Sequence, residues 1–181
     1  MNNNEALRKL IHFSSILLLF LPLWLVNFGL VCMILIYVIS ERFRLRGESV
    51  PLISDLTLAC AYKNELKKGF VKAPLLFAVS ILLVLNYYHG YATLFGFLSL
   101  VIFDGIAGVV GKLVGRRKVF KNKTLEGFLA FFASSFSVIF VFSKNWVLSI
   151  LLSVLGSTVE MISGEYDNLL VPLTVASVST L

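Results

Sequence analysis

The sequence predicts an all-α integral membrane protein, a polytopic helical bundle with six to seven transmembrane helices and a cytoplasmic N-terminus. The chain has 181 residues, of which 58% are hydrophobic and 14% are charged, and its mean hydropathy is +0.90. A soluble chain of this length cannot bury so much apolar surface. The apolar runs are long and continuous rather than short and alternating, which favours membrane helices over a β-barrel.

Apolar runs and helix breakers predict the elements in order. Pro22 separates the first two runs and is expected to break or kink the helix there. A turn-like His89-Gly90 pair and the polar residues 143–145 each divide a later helical hairpin. The predicted spans are 10–21, 23–40, 74–88, 91–110, 125–142, 146–162 and, as a marginal last span, 168–181. The whole chain, 1–181, is predicted to be a single domain.

Basic residues predict the orientation of these spans, because Lys and Arg collect in cytoplasmic loops. They are concentrated at the N-terminus, in the 41–73 connection and in the basic loop 111–124, whereas the alternate turns hold only His89 and Lys144. We therefore expect a multi-pass membrane protein with these three segments and the 163–167 turn in the cytoplasm. Within 41–73, apolar residues at helical spacing predict an interfacial amphipathic helix. Nucleic acid is not an expected partner, since no soluble basic domain is present.

The most informative segment begins at Asp104, an acid inside an apolar run. On a helix, Asp104, Gly108, Gly111 and Gly115 share one side, with Lys112 at its margin. An intramembrane acid is costly and needs a partner or a function, but Lys112 is too far along the helix for a simple pair. The glycine face permits either close helix packing or close approach of a ligand, and the sequence leaves both open.

Two further acids, Glu160 and Asp167, lie at the end of the sixth span and in the turn that follows. The topology predicts that Asp104, Glu160 and Asp167 converge near Lys112, Lys123 and His12. Carboxylate oxygens beside a phosphorylated ligand suggest Mg²⁺, which takes one or two carboxylates together with phosphate oxygens and water. The alternative for most of the basic loop is that its charges only anchor the protein to the membrane surface.

Three segments resemble the CTP-dependent lipid kinases, a family that includes dolichol kinase, phytol kinase and the CTP-using diacylglycerol kinase. These segments are Glu5-Ala-Leu-Arg8-Lys9-Leu-Ile-His12, then Asp104-x-x-Ala107-x-x-x-Gly111-Lys112 with Lys123-Thr124-Leu-Glu126-Gly127, and Glu160 followed by Asp167-Asn168-Leu-Leu-Val-Pro172. They occur in order across nearly the whole chain, and the resemblance of so short a chain implies a minimal microbial member in a prokaryotic cell membrane. Two positions depart from the pattern, namely Gly105 in place of Ala or Ser and Phe128 in place of Ser. The central segment also resembles phosphatidate cytidylyltransferases, but their C-terminal signature has no counterpart here.

The resemblance implies transfer of the terminal phosphate of CTP to the hydroxyl of a lipid alcohol in the bilayer, which could be a polyprenol, a phytol-like alcohol or diacylglycerol. It implies catalysis and Mg²⁺ binding by Asp104, Glu160 and Asp167. Nucleotide or phosphate contacts are expected from Gly108, Gly111, Lys112, Arg117, Lys123, Thr124, Glu126, Gly127 and Asn168. Supporting roles are expected for Glu5, Arg8, Lys9 and His12. The alternatives are synthesis of a CDP-lipid and a non-catalytic membrane scaffold or carrier.

Overall fold

The computed structural model describes residues 3–61, 63–67, 69–121 and 123–180, with the side chains of residues 3–5, 63 and 64 excluded. These residues are almost entirely helical, as the sequence predicts. The helices are α1 (Asn3–Ser14), α2 (Leu23–Leu45), α3 (Ile53–Cys60), α4 (Lys63–Lys67), α5 (Ala73–Tyr87), α6 (Tyr91–Leu98), α7 (Asp104–Leu113), α8 (Leu125–Ser143), α9 (Trp146–Ser163) and α10 (Asp167–Val178). A short antiparallel hairpin, β1 (Lys118–Phe120) and β2 (Lys123–Thr124), precedes α8.

Within the described residues, four helical stretches are long and apolar enough to cross a membrane. They are Leu23–Leu45, Tyr91–Leu113, Leu125–Ser143 and Trp146–Val178, and α5 is a shorter apolar helix. The last stretch is a helical hairpin, because the chain turns at Gly164, which has a φ of +61°, and α9 packs against α10. The number of crossings and the orientation of the N-terminus stay predictions.

The 41–73 connection differs from its prediction. Instead of one interfacial helix, α2 continues to Leu45 and two short helices, α3 and α4, follow. The prediction of one helix was wrong because the apolar spacing continues through Ala61, where the backbone leaves helical geometry with φ −76° and ψ 146°. The predicted break at Pro22 is present, since a 3-10 turn ends at Phe20 and α2 begins at Leu23.

The centre of the fold is the helix formed by α6, a π-helical turn at Ser99–Phe103, and α7. Large aromatic side chains from this helix and from α8 are fully buried, among them Phe95, Phe103 and Phe131. Helices α8 and α10 pack against it, and α1 lies across the π-helical turn and α7. The wider π turn ends at Phe103, directly before Asp104. Turns of this kind are frequent at functional sites.

Helix α2 is attached to the rest of the fold by side-chain contacts near both of its ends. Near its start, the side-chain amides of Asn27 and Asn86 exchange two hydrogen bonds of 2.8 and 2.9 Å. Near its end, Arg44 donates to both carboxylate oxygens of the buried Glu41, at 2.8 and 2.7 Å, and Glu41 also accepts from the Val71 amide at 2.7 Å. These contacts hold α2 beside α5 and leave a groove between the two attachments.

Candidate functional site

The structure brings together the three acids that the sequence singles out. Asp104 begins α7, Glu160 lies in α9, and Asp167 begins α10. One carboxylate oxygen from each lies within 4.8 Å of the others. Asp104 and Glu160 are buried, at 6% and 3% exposure. The predicted convergence is therefore present, and the catalytic role of these acids stays a prediction.

Lys123 joins two of the three acids. It lies at the start of β2, and its Nζ donates to Glu160 and, at 3.0 Å, to Asp167. Burial disfavours the charged ammonium, but the carboxylates of Asp167 and Glu160 outweigh burial and raise the pKa of Lys123 above its usual range. Lys123 is therefore a permanent positive charge at this site.

The partner of Asp104 comes from α1. Lys9 Nζ lies 3.1 Å from Asp104 Oδ2 and 3.2 Å from the Asp104 carbonyl oxygen. His12 Nδ1 is 3.7 Å from the same carboxylate oxygen, and the His12 ring packs against Phe77 with the ring centroids 4.4 Å apart. The sequence left this partner open; the structure identifies it as Lys9 and makes α1 a wall of the site.

The glycine face of α7 is occupied by packing contacts. A Cβ at Gly108 would lie 2.5 Å from Lys9 Nζ, and a Cβ at Gly111 would lie 2.9 Å from Thr124 Oγ1. Gly115 is not on this face, because α7 ends at Leu113, so its predicted position on the helix was wrong. The structure thus gives Gly108 and Gly111 a packing role, and contact of either residue with a nucleotide stays a prediction.

The Thr124-to-Gly127 segment shapes the chain between α7 and α8. Thr124 is the N-cap of α8, and its Oγ1 accepts a hydrogen bond from the Gly127 amide at 3.2 Å. The Glu126 carboxylate accepts a 3.4 Å hydrogen bond from the Arg117 amide. These contacts fix the hairpin that presents Lys123 to the acids.

Two predicted phosphate ligands, Lys112 and Arg117, are exposed. Lys112 follows Asp104 by eight residues on α7, which is about 12 Å along a helix axis. The phosphate-binding roles of Lys112 and Arg117 stay predictions.

The remaining predicted residues lie around the cluster. Asn168 is buried; its amide donates to Asp167 Oδ1 at 2.8 Å and its side chain donates to the Ala73 carbonyl at 3.3 Å. Arg8 Nη1 lies 3.6 Å from Glu65 Oε1, which links α1 to α4. The side chain of Glu5 lies outside the described residues.

A groove with a volume of about 840 Å³ lies beside the acids. It is enclosed by α1, α2, α3 and α5, and its lining is almost entirely apolar. His12 and Asn168 line it as well, and they connect it to Asp104 and Asp167. The groove was not predicted from the sequence, because no local sequence pattern indicates a gap between two helices.

The fold and the site define a helical protein with apolar helices long enough to span a membrane and a partly buried cluster of three acids and two lysines. No family model matches the chain, and no solved structure matches it. The uncharacterized protein MJ1137 of Methanocaldococcus jannaschii is 29% identical to the chain over 147 residues, which cover 79% of this chain and 71% of that protein. The similarity extends over most of both chains.

Proposed function

We propose that this protein is a CTP-dependent lipid kinase that transfers the terminal phosphate of CTP to the hydroxyl of a membrane lipid alcohol. The observation that carries the proposal is the cluster of Asp104, Glu160 and Asp167 with the ammonium groups of Lys9 and Lys123. Phosphoryl transfer depends on positioning, on neutralisation of phosphate charge and on a group that receives the hydroxyl proton. The cluster contains residue types for each of these tasks.

The donor set of the cluster fits Mg²⁺, because it consists of carboxylate oxygens from three separate helices. Asp104, Glu160 and Asp167 would hold the ion. When bound, Mg²⁺ would neutralise phosphate oxygens of the nucleotide. Lys123 contacts the same carboxylates, so its ammonium would lie beside the phosphates of a nucleotide bound at the ion. In this proposal Lys123 is thus a phosphate ligand.

The proposed reaction exchanges one P–O bond for another. The hydroxyl oxygen of the acceptor forms a bond to the γ-phosphorus of CTP, and the bond from that phosphorus to the β–γ bridging oxygen breaks. CDP leaves, and the hydroxyl proton passes to one of the three carboxylates. The preference for CTP rests on the resemblance of the three segments to CTP-dependent lipid kinases.

We place the site at the cytoplasmic face of a multi-pass protein with six to seven spans and a cytoplasmic N-terminus. The distribution of Lys and Arg supports this orientation, since the N-terminus and the 41–73 and 111–124 segments carry most of the basic residues. Lys123, which contacts two of the three acids, belongs to one of these segments. The orientation gives the site access to a soluble nucleotide on one side and to the bilayer on the other.

A second candidate is transfer of the cytidylyl group of CTP to a phospholipid. It is favoured by the resemblance of the central segment, from Asp104 to Gly127, to phosphatidate cytidylyltransferases. The same acids and lysines would then act on the α-phosphorus, and pyrophosphate would leave instead of CDP. The two candidates differ in their products, so product analysis separates them.

The test is incubation of the purified protein in lipid nanodiscs with CTP, Mg²⁺ and one of four lipids, namely a polyprenol, a phytol-like alcohol, diacylglycerol or, as the acceptor of the second candidate, phosphatidate. We expect CDP and a phosphorylated lipid, with turnover lost in Asp104→Asn and Glu160→Gln and retained in the exposed control Arg42→Gln. Pyrophosphate with a CDP-lipid would replace the proposal by the second candidate. Neither product with any of the lipids would overturn both and leave a non-catalytic carrier or scaffold.

A further inference from the structure

The groove beside the acids has the dimensions of a site for a hydrocarbon chain. Its lining on α2 runs from Leu25 to Tyr37, and these thirteen residues span about 18 Å along a helix. Leu18 of the 3-10 turn and Phe77 and Ile81 of α5 line the opposite sides. The groove therefore follows the apolar part of the fold and includes His12, whose Nδ1 lies 3.7 Å from Asp104 Oδ2.

The groove opens on the apolar outer surface of the protein. Several of its lining residues are also partly exposed, among them Leu21, Met33, Ile36 and Leu56 at 45% to 50%. In a membrane protein such a surface faces hydrocarbon rather than water. A molecule dissolved in the bilayer can thus enter the groove sideways, without passing through the aqueous phase.

The lining of the groove includes a buried ring nitrogen of His12. Among the residues that the structure describes, His12 Nδ1 is buried and makes no hydrogen bond. Buried polar atoms are almost always hydrogen-bonded. Because His12 lines the groove and its Nδ1 lies 3.7 Å from Asp104 Oδ2, a ligand group that bonds this atom is placed directly beside the acids.

The charge of the groove favours a neutral ligand. Among the described residues, Arg8 is the one cationic side chain in its lining, and Arg8 Nη1 lies 3.6 Å from Glu65 Oε1. A phosphate headgroup would require cations that this pairing already engages. A hydroxyl group needs only a hydrogen-bond partner, which His12 provides.

We infer that the groove between α1, α2, α3 and α5 binds the hydrocarbon chain of the acceptor, a neutral lipid alcohol, and that His12 Nδ1 is the hydrogen-bond partner that positions its hydroxyl beside Asp104. The inference rests on the proposed function, for which it names the acceptor site. His12 is a positioning residue in this account. The acceptor enters from the bilayer, and CTP approaches from the opposite side of the acid cluster.

Gly29 offers a way to block the groove without disturbing the fold. It belongs to the lining, and a Cβ at this position would meet no atom within 4 Å. The first side-chain atom of Gly29→Phe therefore has room, and we expect its ring to occupy part of the groove. Val31, two residues later on α2, is 47% exposed and does not line the groove, which makes Val31→Phe a matched control.

The kinetic test measures KM for both substrates. We expect Gly29→Phe and His12→Leu to raise KM for a long-chain lipid alcohol at least tenfold and to leave KM for CTP unchanged, with Val31→Phe like the wild type. His12→Asn restores a polar atom near the position of Nδ1 and is expected to recover most of the lost affinity. An unchanged KM for the alcohol in Gly29→Phe and His12→Leu would overturn the inference while leaving the proposed function intact.

A binding test does not depend on turnover. Cys32 and Cys60 both line the groove as free thiols, so in a Cys60→Ser background the alkylation of Cys32 by a maleimide reports occupancy. We expect a polyprenol without nucleotide to slow this alkylation several-fold in both the wild-type and the Asp104→Asn background, and phosphatidate with chains of similar length to leave it unchanged. Protection without any product would refute the proposed function but support the groove as an alcohol site. No protection by the alcohol, or equal protection by phosphatidate, would refute the inference.

Discussion

Gly108 lies directly beneath the Lys9 side chain, since a Cβ at position 108 would be 2.5 Å from both Cε and Nζ of Lys9. The absence of a side chain at this position allows Lys9 to cross α7 and reach Asp104 at 3.1 Å. Gly108 thus affects the carboxylate cluster indirectly, because it leaves room for the lysine that pairs with Asp104.

Gly108→Ala is expected to lower turnover while the protein stays folded. The new methyl group meets the flexible end of Lys9, so the lysine moves away from Asp104 and the backbone keeps its place. Misplacement of a catalytic group by about 1 Å costs up to about 100-fold in rate, and we expect a loss of about 10- to 100-fold. Val31→Ala is the control, because Val31 is 47% exposed and does not line the groove. Wild-type turnover in Gly108→Ala would contradict this role for Lys9.

Lys9 and Asp104 are expected to be strongly coupled in stability. Removal of one partner from a buried ion pair costs about 3–5 kcal/mol, because the other charge stays buried without compensation. Lys9→Met should therefore destabilise the protein far more than Lys9→Met combined with Asp104→Asn. A double-mutant cycle from chemical unfolding in detergent measures the coupling, and additive effects of the two substitutions would argue against the pair.

Glu41 is expected to be a structural residue outside the site. Its carboxylate accepts hydrogen bonds from Arg44 and from the Val71 amide and is 1% exposed. Glu41→Gln leaves the Arg44 charge without its counterion, which by analogy with other broken buried pairs costs about 3 kcal/mol. Thermal unfolding should show a clear loss, whereas Arg42→Gln on the same turn should unfold like the wild type. Similar unfolding temperatures for the two variants would show that the Glu41 contacts contribute little.

Asp167 is expected to set the dependence on Mg²⁺. If Asp104, Glu160 and Asp167 hold the ion, Asp167→Asn removes one charged ligand, and the Mg²⁺ concentration for half-maximal turnover should rise at least about tenfold. Glu48→Gln, at an exposed acid, should leave this concentration unchanged. A variant with lower turnover but wild-type Mg²⁺ dependence would remove Asp167 from the metal site.

The helices of this fold could be predicted from the sequence because their signals are local. The predicted runs 125–142 and 146–162 agree closely with Leu125–Ser143 and Trp146–Ser163. Lys144 and Asn145 explain the sharp boundary: Lys144 adopts a left-handed conformation with a φ of +54°, and Asn145 caps α9. The continuous apolar runs end at polar residues of this kind, and both the runs and the polar residues can be read from the sequence.

The site could be predicted only in part, because its contacts join distant segments. The convergence of Asp104, Glu160 and Asp167 followed from predicted ends of helices on one side of the bundle. The pairing of Lys9 with Asp104, 95 residues apart, depends on how α1 crosses α7, which no local pattern records. The π turn at Ser99–Phe103 and the groove beside α2 arise from tertiary packing in the same way.

Transfer of the γ-phosphate of CTP to the acceptor lipid can be followed with a radioactive label in CTP. The protein in nanodiscs receives a lipid alcohol, Mg²⁺ and CTP labelled on either the γ- or the α-phosphate, and the extracted lipid is counted. We expect label in the lipid from γ-labelled CTP only, and none from either form in Asp104→Asn. Label in the lipid fraction from α-labelled CTP, or from neither form in the wild type, would contradict the proposed transfer.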